Sequence, residues 1–525
     1  MKKYFNTQGI CNPTEHYMVN LETRLEEIKE LIDRKQYFTI NRARQYGKTT
    51  TLTALEKYLR NEYVVVSLDF QSFGNENFQS ESIFTSAFVK ALLGKSIDFP
   101  DVVQKKLRQY MYEKNNRLFD LFVILSEWCK ESEKPIVLMI DEVDSATNNQ
   151  VFLDFLAQLR YHYLQRQKGE GLTFHAVVLA GVYDIKNITL KIHPDRPMKT
   201  NSPWNIATNF DVTMSFCEMD IIRMLYEYEN DHHLGMDVTE IAKLIYEYTS
   251  GYPFLVSCIC KLLDEVVSKR VEDKKAAWTK VGFLQAIKIL LEENNTLFSS
   301  LIHKITTIES LRNLIYSLLF SGQSIYYNPD DELVAVLIMF GFAKVDLEGK
   351  VIIANRIFEV RLYNYFIAKE MQNDIIKISL VKEKNQFVQN GQLNMELILE
   401  KFVEYFTEVY GNSSDSFVEE QGRKYFLLFL KPIINGVGNY YIESQTRDMK
   451  RTDVIIDYLG KQYVVEMKIW HGEEYNKRGE VQLLDYLDYY RLQDGYMLSF
   501  NFNKNKQIGL KCVEINGKKI MEAVV

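Results

Sequence analysis

Apolar and polar positions follow two rhythms along this chain, and the changes of rhythm mark its parts. Through residue 230, short apolar runs are separated by amphipathic stretches. The runs are Tyr37–Ile40, Val64–Phe70, Ile136–Ile140 and Ala176–Ala180. This alternation predicts a parallel sheet covered by helices. Ile136–Ile140 has no polar member, as expected of a strand buried on both faces. From 231 to 300 the period is helical, as in Val238–Thr249 and Leu255–Lys269. Residues 301–375 read as a small helical module closed by a hairpin, Val345 to Ile353, turning at Glu348-Gly349. Helices followed by such a hairpin suggest a winged helix, either a packing spacer or a DNA reader. Its helix Asp331–Phe340 has no Lys or Arg to offer phosphates. A polar stretch, Val381–Gln386, leads into a last part, 385–525, read as two helices, then strands and a final helix. The expected division is 1–230, 231–300, 301–375 and 385–525. No internal repeat or low-complexity segment interrupts it.

A chain of 525 residues has room for roughly three to four domains. Its 46% apolar and 25% charged residues are those of an ordinary globular protein. A net charge of −7 argues against coating nucleic acid by charge alone, while leaving room for a local basic groove. Six scattered cysteines form neither a disulfide framework nor a CxxC site, and Cys258 and Cys260 sit in an apolar run as core residues. The N-terminal residues lack the apolar stretch of a signal peptide, and no run approaches a membrane span. A cytoplasmic protein with no membrane partner is expected.

The first chemistry lies after the first apolar run, in Asn41-Arg42-Ala43-Arg44-Gln45-Tyr46-Gly47-Lys48-Thr49-Thr50. Gly47-Lys48-Thr49 matches the second half of a phosphate loop, with Arg42 where that motif has its first glycine. Gly47 lets the backbone approach a phosphate, Lys48 reaches the β- and γ-phosphates, and Thr49 places a hydroxyl on Mg²⁺. Gly47 through Thr50 are the expected nucleotide-binding residues, ahead of an amphipathic run, Leu52–Leu59, whose first NH groups face the same anion. The plain alternative is a surface turn before a helix. The run Ile136–Ile140 ends in Asp141-Glu142. Asp141 is expected to hold Mg²⁺ through water, and Glu142 to orient and deprotonate an attacking water. An acidic loop after a strand is the alternative, but its occurrence together with the phosphate loop favours the catalytic reading. Gly181, after the fourth run, is a γ-phosphate sensor position or a simple turn. Arg160 and Arg166 are arginine-finger candidates or solvated charges.

The second chemistry lies near the end. Asp453 sits in the run Thr452–Asp457, and Glu466 and Lys468 sit in Gln462–Trp470 across the turn Leu459-Gly460-Lys461. Positions i and i+2 of a strand share a face, so Glu466 and Lys468 project together, and the hairpin brings Asp453 beside them. Two carboxylates make a hard oxygen site for Mg²⁺, with Mn²⁺ as the alternative. The metal activates water and Lys468 stabilises charge on a scissile phosphate. Charged residues alternating along a solvated strand are the plain reading.

Both halves resemble known families. The phosphate loop, Leu138-Met139-Ile140-Asp141-Glu142-Val143-Asp144, Ser202-Pro203-Trp204-Asn205-Ile206-Ala207 and Gly251-Tyr252-Pro253-Phe254-Leu255 resemble the AAA-ATPase-like proteins of anaerobic gut-type bacteria, in the wider STAND-like and archaeal-ATPase branch. Gly251-Tyr252-Pro253 looks like the lid element of that branch. Asp453 with Glu466-x-Lys468 resembles the PD-(D/E)xK nuclease superfamily, with Thr452 where the name has its proline. That resemblance implies Glu420, or Glu419 in a competing register, as a third metal-site acid on an acidic first helix. It also implies Gln482 and Tyr486 on the helix after the catalytic strand; Arg447 and Arg451, which flank Asp453, are candidate phosphate contacts.

The implied fold is α/β multidomain: a P-loop NTPase parallel sheet with a helical lid, a winged-helix-like module, and a C-terminal α/β restriction-endonuclease-like domain. The implied function is a nucleotide-regulated, metal-dependent DNA nuclease that hydrolyses ATP and phosphodiesters, in defence or mobile-element control. ATP, Mg²⁺, DNA and a homo-oligomer are the expected partners. The alternative is an ATP-binding signalling or scaffold protein whose nuclease fold is an inactive docking domain.

Overall fold

A computed structural model describes residues 2–113, 115–147, 149–182, 203–320, 325–373, 384–389, 391–410, 419–434, 438–442, 454–459, 461–470, 473–501, 503 and 506–525. Backbone proximity gathers the chain into two compact units. The first comprises Met1–His233, Gly251–Lys261 and Met339–Gly341; the second comprises Leu234–Ser250, Leu262–Ile338 and Phe342–Val525.

The first unit is built on a four-stranded parallel sheet in the order β1-β4-β3-β2, with β1 Tyr37–Asn41, β2 Val64–Asp69, β3 Ile136–Asp141 and β4 Ala176–Gly181. β3 and β4 are buried at every position, which accounts for their unbroken apolar sequence. The helices α1 Glu22–Asp33, α2 Lys48–Leu59, α3 Glu81–Leu93, α4 Asp101–Tyr112, α5 Leu118–Glu131, α6 Gln150–Lys168 and α7 Glu218–His232 belong to this unit. Each buries a stripe at helical spacing, as Leu25, Ile28 and Ile32 do in α1. Phe70, Phe84, Phe88, Phe122 and Phe155 pack into one aromatic core. The second apolar run stops at Asp69, one residue short of expectation. The Asp69 carboxylate accepts the Gln71 N–H at 2.8 Å and folds Phe70–Ser72 into a 3₁₀ turn.

The second unit opens with α8 Val238–Thr249, capped by the Asp237 carboxylate on Glu240 N–H at 3.0 Å. α9 Pro253–Glu265, which belongs to the first unit through Lys261, begins with proline at its first position and ends before Lys269, because Val267–Lys269 forms a separate 3₁₀ turn. α10 Lys280–Glu292, α11 Thr296–Thr307, α12 Glu309–Phe320 and α13 Glu332–Met339 follow. The hairpin β5 Ala343–Val345 and β6 Val351–Ile353 forms where the sequence places it, with Gly349 left-handed at φ 81°. α14 Arg356–Asn373 and a short hairpin, β7 Val388–Gln389 with β8 Gln392–Leu393, precede α15 Met395–Tyr410 and α16 Glu419–Ile434.

A six-stranded mixed sheet completes this unit in the order β13-β14-β12-β11-β10-β9. Its strands are β9 Gly438–Ile442, β10 Val454–Tyr458, β11 Lys461–Ile469, β12 Asp494–Phe500, β13 Gly509–Ile515 and β14 Lys518–Val524, and α17 Glu473–Tyr489 joins β11 to the parallel β12. The expected final helix is therefore followed by three strands. The signal was present: Asn516-Gly517 sits at φ 52° and 75° between two apolar-alternating runs, the preferred turn of a two-residue hairpin.

Candidate functional site

β1 runs straight into the phosphate loop, where the Arg42 N–H still pairs with Gly181 O of β4 at 3.1 Å. The loop then turns through two left-handed residues, Gln45 at φ 58° and Gly47 at φ 79°, before α2 begins at Lys48. Such a turn aims consecutive NH groups inward, a concavity suited to phosphate at the positive end of a helix. Lys48 is buried, and its ammonium donates to Arg42 O at 2.9 Å and Ala43 O at 3.0 Å, tying the loop to α2. Burial lowers its pKa, opposed by Glu142, Asp144 and Asp141.

Arg42 does not enter the cradle. Its guanidinium donates to Phe210 O at 3.2 Å and Val212 O at 3.1 Å and lies 5.2 Å from the Phe210 ring centroid. The side chain that replaces the motif's first glycine thus latches a strap of chain outside the loop. Thr50 accepts the Cys11 N–H on its hydroxyl at 3.2 Å, so of its polar groups that hydroxyl is directed to the N-terminal loop.

Across from the loop, the Thr49 hydroxyl donates to Asp141 Oδ2 at 2.7 Å, and the Glu142 N–H donates to Asp141 Oδ1 at 2.8 Å. Burial raises the Asp141 carboxyl, and those two bonds pull it back. This hydroxyl and carboxylate are adjacent hard oxygen donors, of the type that could hold Mg²⁺. Glu142 is left-handed at φ 52°, a conformation that costs a non-glycine residue about 1–3 kcal/mol and gathers at functional sites. Burial, then the Asp141 charge, raises its carboxyl, the direction that suits a general base.

Asp144 and Tyr252 carry roles the motif spacing does not state. Asp144 accepts the Val182 N–H at 2.7 Å, and its carboxylate fills the space a side chain at Gly181 would need. Gly181 is therefore a close-packing position at the end of β4; Tyr183 and Asp184 lie outside the described residues. The Tyr252 hydroxyl donates to Arg44 O at 2.6 Å, and its ring meets Tyr46 edge-on at 4.6 Å. Gly251 before it has φ 71°, and a Cβ there would lie 1.8 Å from Phe216 O. Trp204 is buried with its indole N–H on the Thr39 hydroxyl at 2.8 Å.

Arg166 is a structural clip rather than a finger or a solvated charge. It donates to His175 O and Lys35 O, each at 2.8 Å, and stacks over Tyr37 and Tyr163. Those carbonyls precede β4 and β1, so the guanidinium stands at the opposite end of the sheet from Lys48 and Asp141.

In the second unit, Glu466 and Lys468 project from one face of β11 as an ion pair at 3.3 Å, the two residues 1% and 9% exposed. α17 covers that face. A Cβ on Gly479 would lie 2.9 Å from Lys468 Cε and Nζ, and Leu483 and Leu487 sit against Gly495 of β12. Gln482 is buried on this stripe of α17, and Tyr486 with it. β12 and β14 add two polar residues that the spacing missed: the Ser499 hydroxyl donates to Glu522 Oε1 at 3.1 Å, both buried. Register places Ser499 beside Lys468 and Glu522 in the row of Glu466. Asp453, Arg447, Arg451 and the side chains of Glu419 and Glu420 lie outside the described residues. The helix of Glu420, α16, packs on the other face, where Gly422 meets the Phe500 ring. Among the described residues no three His, Cys, Asp or Glu are grouped to hold a metal ion, and no helix is long and apolar enough to cross a membrane.

No curated protein matches the chain. Among solved structures, similarity extends to a Walker-type ATPase of Pyrococcus abyssi, at 13% identity over 68% of this chain and 99% of that one, TM-score 0.43. The Aeropyrum pernix ORC2 protein is similar at 11% identity over 70% and 98%, TM-score 0.40. The Thermotoga maritima RuvB Holliday junction branch migration motor is similar at 12% over 64% and 92%, TM-score 0.33. A family model described as an AAA-like domain matches residues 9–307. That match spans more than half of the 525 residues and holds Arg42, Lys48, Thr49, Asp141, Glu142 and Tyr252, and so the chain belongs to the AAA-like domain family.

Proposed function

We propose that this protein is a nucleotide-regulated, metal-dependent DNA nuclease, with ATP held in the first unit and phosphodiester cleavage in the second. The parts at 1–230, 231–300, 301–375 and 385–525 serve as ATPase, helical lid, winged-helix-like module and PD-(D/E)xK-like domain. The observation that carries the reading is the contact pair Glu466–Lys468, on one face of a strand in a mixed sheet, beneath the helix that carries Gln482. Asp453 immediately precedes Val454, which pairs with Val465, the neighbour of Glu466.

In the first centre Lys48 would contact the β- and γ-phosphates of bound ATP, Thr49 and Asp141 would hold Mg²⁺, and Glu142 would orient and deprotonate water. In the second centre Asp453 and Glu466 are the metal-ligating carboxylates, with Glu420 or Glu419 as a third acid. Bound Mg²⁺ or Mn²⁺ supplies an activated water there and charge to match the phosphate. Lys468 stabilises the charge that develops on the scissile phosphate, and Gln482 helps position it. The hairpin module is an unpromising DNA surface: Asp330, Asp331, Glu332, Asp346 and Glu348 outnumber Lys344 and Lys350.

Plasmid and single-stranded DNA incubated with Mg²⁺ or Mn²⁺, with and without ATP, test the reading. Asp453→Ala and Glu466→Ala are each expected to cut cleavage by about 10²-fold or more. Lys468→Ala should lower turnover more than metal affinity, since an ammonium cannot ligate a cation. A second reading has one observation in its favour: Glu466 is almost fully enclosed, as an ion pair retained for structure would be. In that case the domain is an inactive docking module, and wild type and Glu466→Ala will be equally inert toward DNA.

A further inference from the structure

α17 is held at both ends. In its first half, Gly479 lets the helix backbone approach the end of Lys468, so close that a Cβ there would displace the lysine's Cε and Nζ. At its far end, the Tyr489 hydroxyl donates to Glu247 Oε1 of α8 at 2.7 Å. The Lys243 ammonium of α8 lies 5.5 Å from the Tyr489 ring centroid, and it pairs with Glu247 at 3.8 Å. The next residue, Tyr490, receives the Lys280 ammonium of α10, again 5.5 Å from its ring centroid. Asp457 of β10 also acts on the Lys280 charge. Both tyrosine rings are therefore gripped by lid helices, within the second unit.

α8 ends at Thr249, and the next two residues, Ser250 at φ 48° and Gly251 at φ 71°, are both left-handed. The border between the two compact units falls between them. Tyr252 follows, with its hydroxyl on Arg44 O of the phosphate loop. One short stretch of chain thus joins a phosphate-loop contact to the helix that grips α17. Two consecutive left-handed residues at a unit border have the character of a hinge, where a few dihedrals absorb a change of direction.

We propose that Tyr489 and Tyr490 are the relay through which the nucleotide centre controls the Glu466–Lys468 centre. A change at the phosphate loop reaches Tyr252, alters the angle at Ser250-Gly251, and moves α8 with Glu247 and Lys243. Tyr489 follows, and α17 carries the shift as a stiff rod to Gly479 and Lys468. The output of this relay rests on the nuclease reading; the transmission itself does not.

The full-length protein tests it with two readouts. Amide hydrogen exchange over α17 is measured with and without ATP·Mg²⁺, in wild type and in the double variant Tyr489→Leu/Tyr490→Leu. ATP is expected to change exchange in α17 of wild type by about fivefold and to leave the variant unresponsive. ATP affinity by calorimetry and Tm should match wild type. Tyr489→Phe, which keeps the ring and loses only the bond to Glu247, should fall between the two. In the DNA assay, the variant should keep its cleavage without ATP and lose the ATP effect, whereas a merely structural role would lower cleavage with and without ATP alike. The proposal is overturned if ATP leaves α17 unchanged in wild type, or if the variant responds in full. Absence of DNA cleavage under every condition would remove the nuclease reading, while the exchange measurement would still decide the relay.

Discussion

At the scale of single residues, the proposed nucleotide centre is tested by Lys48 and Glu142, whose variants should separate binding from chemistry. Lys48→Ala removes the ammonium aimed along the loop, and calorimetry should show ATP affinity lowered by about tenfold or more, as for loss of a charge-assisted contact. Glu142→Gln keeps the shape of the side chain, so binding should persist while phosphate release stops. Because burial and Asp141 raise the Glu142 carboxyl above the ordinary 4.5, it protonates at higher pH than an exposed glutamate. Hydrolysis needs the charged form, so the acid limb of the ATPase pH profile should lie above that value. Gly251 makes the sharpest stability prediction: alanine there combines a left-handed φ with a 1.8 Å approach to Phe216 O. A loss of about 2–4 kcal/mol is expected, read as a drop in Tm. That Thr49 and Asp141 meet was legible in sequence, because each follows an apolar run at the position a phosphate loop and its acidic partner require. Asp144 was less so: it accepts the N–H of Val182, just past the end of β4 and 38 positions along the chain, a partner that spacing does not reveal.

At the scale of elements, Arg42 shows how a departure from a motif is resolved by packing. Its guanidinium holds two carbonyls of the 210–212 strap, so Arg42→Gly restores the motif's glycine yet should cost about 1.5–3 kcal/mol, measured by thermal unfolding, without raising ATP turnover. The parallel strands were readable from sequence to within a residue, β3 and β4 most clearly, because burial on both faces requires unbroken apolar runs. The ends of elements were harder. Asp69 stops β2 through a bond to the second residue beyond it, and the Asn516-Gly517 turn adds a closing hairpin to a segment whose flanking strands are only half buried. Glu522, carried by that hairpin, could not be joined to Glu466 before the strand order was known. The helix of Arg166 was foreseen, but its place was not: a charged residue near a helix end has the same sequence signature whether it caps carbonyls or meets a phosphate.

At the scale of the whole molecule, the chain places its family-defining chemistry in one unit and a buried acid–base pair in another. A net charge of −7 means that any DNA contact must come from local cations, and DNA affinity should fall steeply between 50 and 200 mM salt, the range in which counterion release acts. A binding curve independent of salt would count against a phosphate-tracking surface. The order of the large sheet has a further consequence, for colloidal behaviour. β13 is one of its two edge strands; among the described residues no strand pairs with its outer side, and it exposes Lys511, Cys512 and Glu514. Charged side chains on a rim discourage another copy from adding its own strand, since pairing would desolvate them. Replacing Lys511 and Glu514 by valine should leave Tm nearly unchanged yet make light scattering grow with protein concentration: the two charges contribute little to folding and much to keeping folded copies apart.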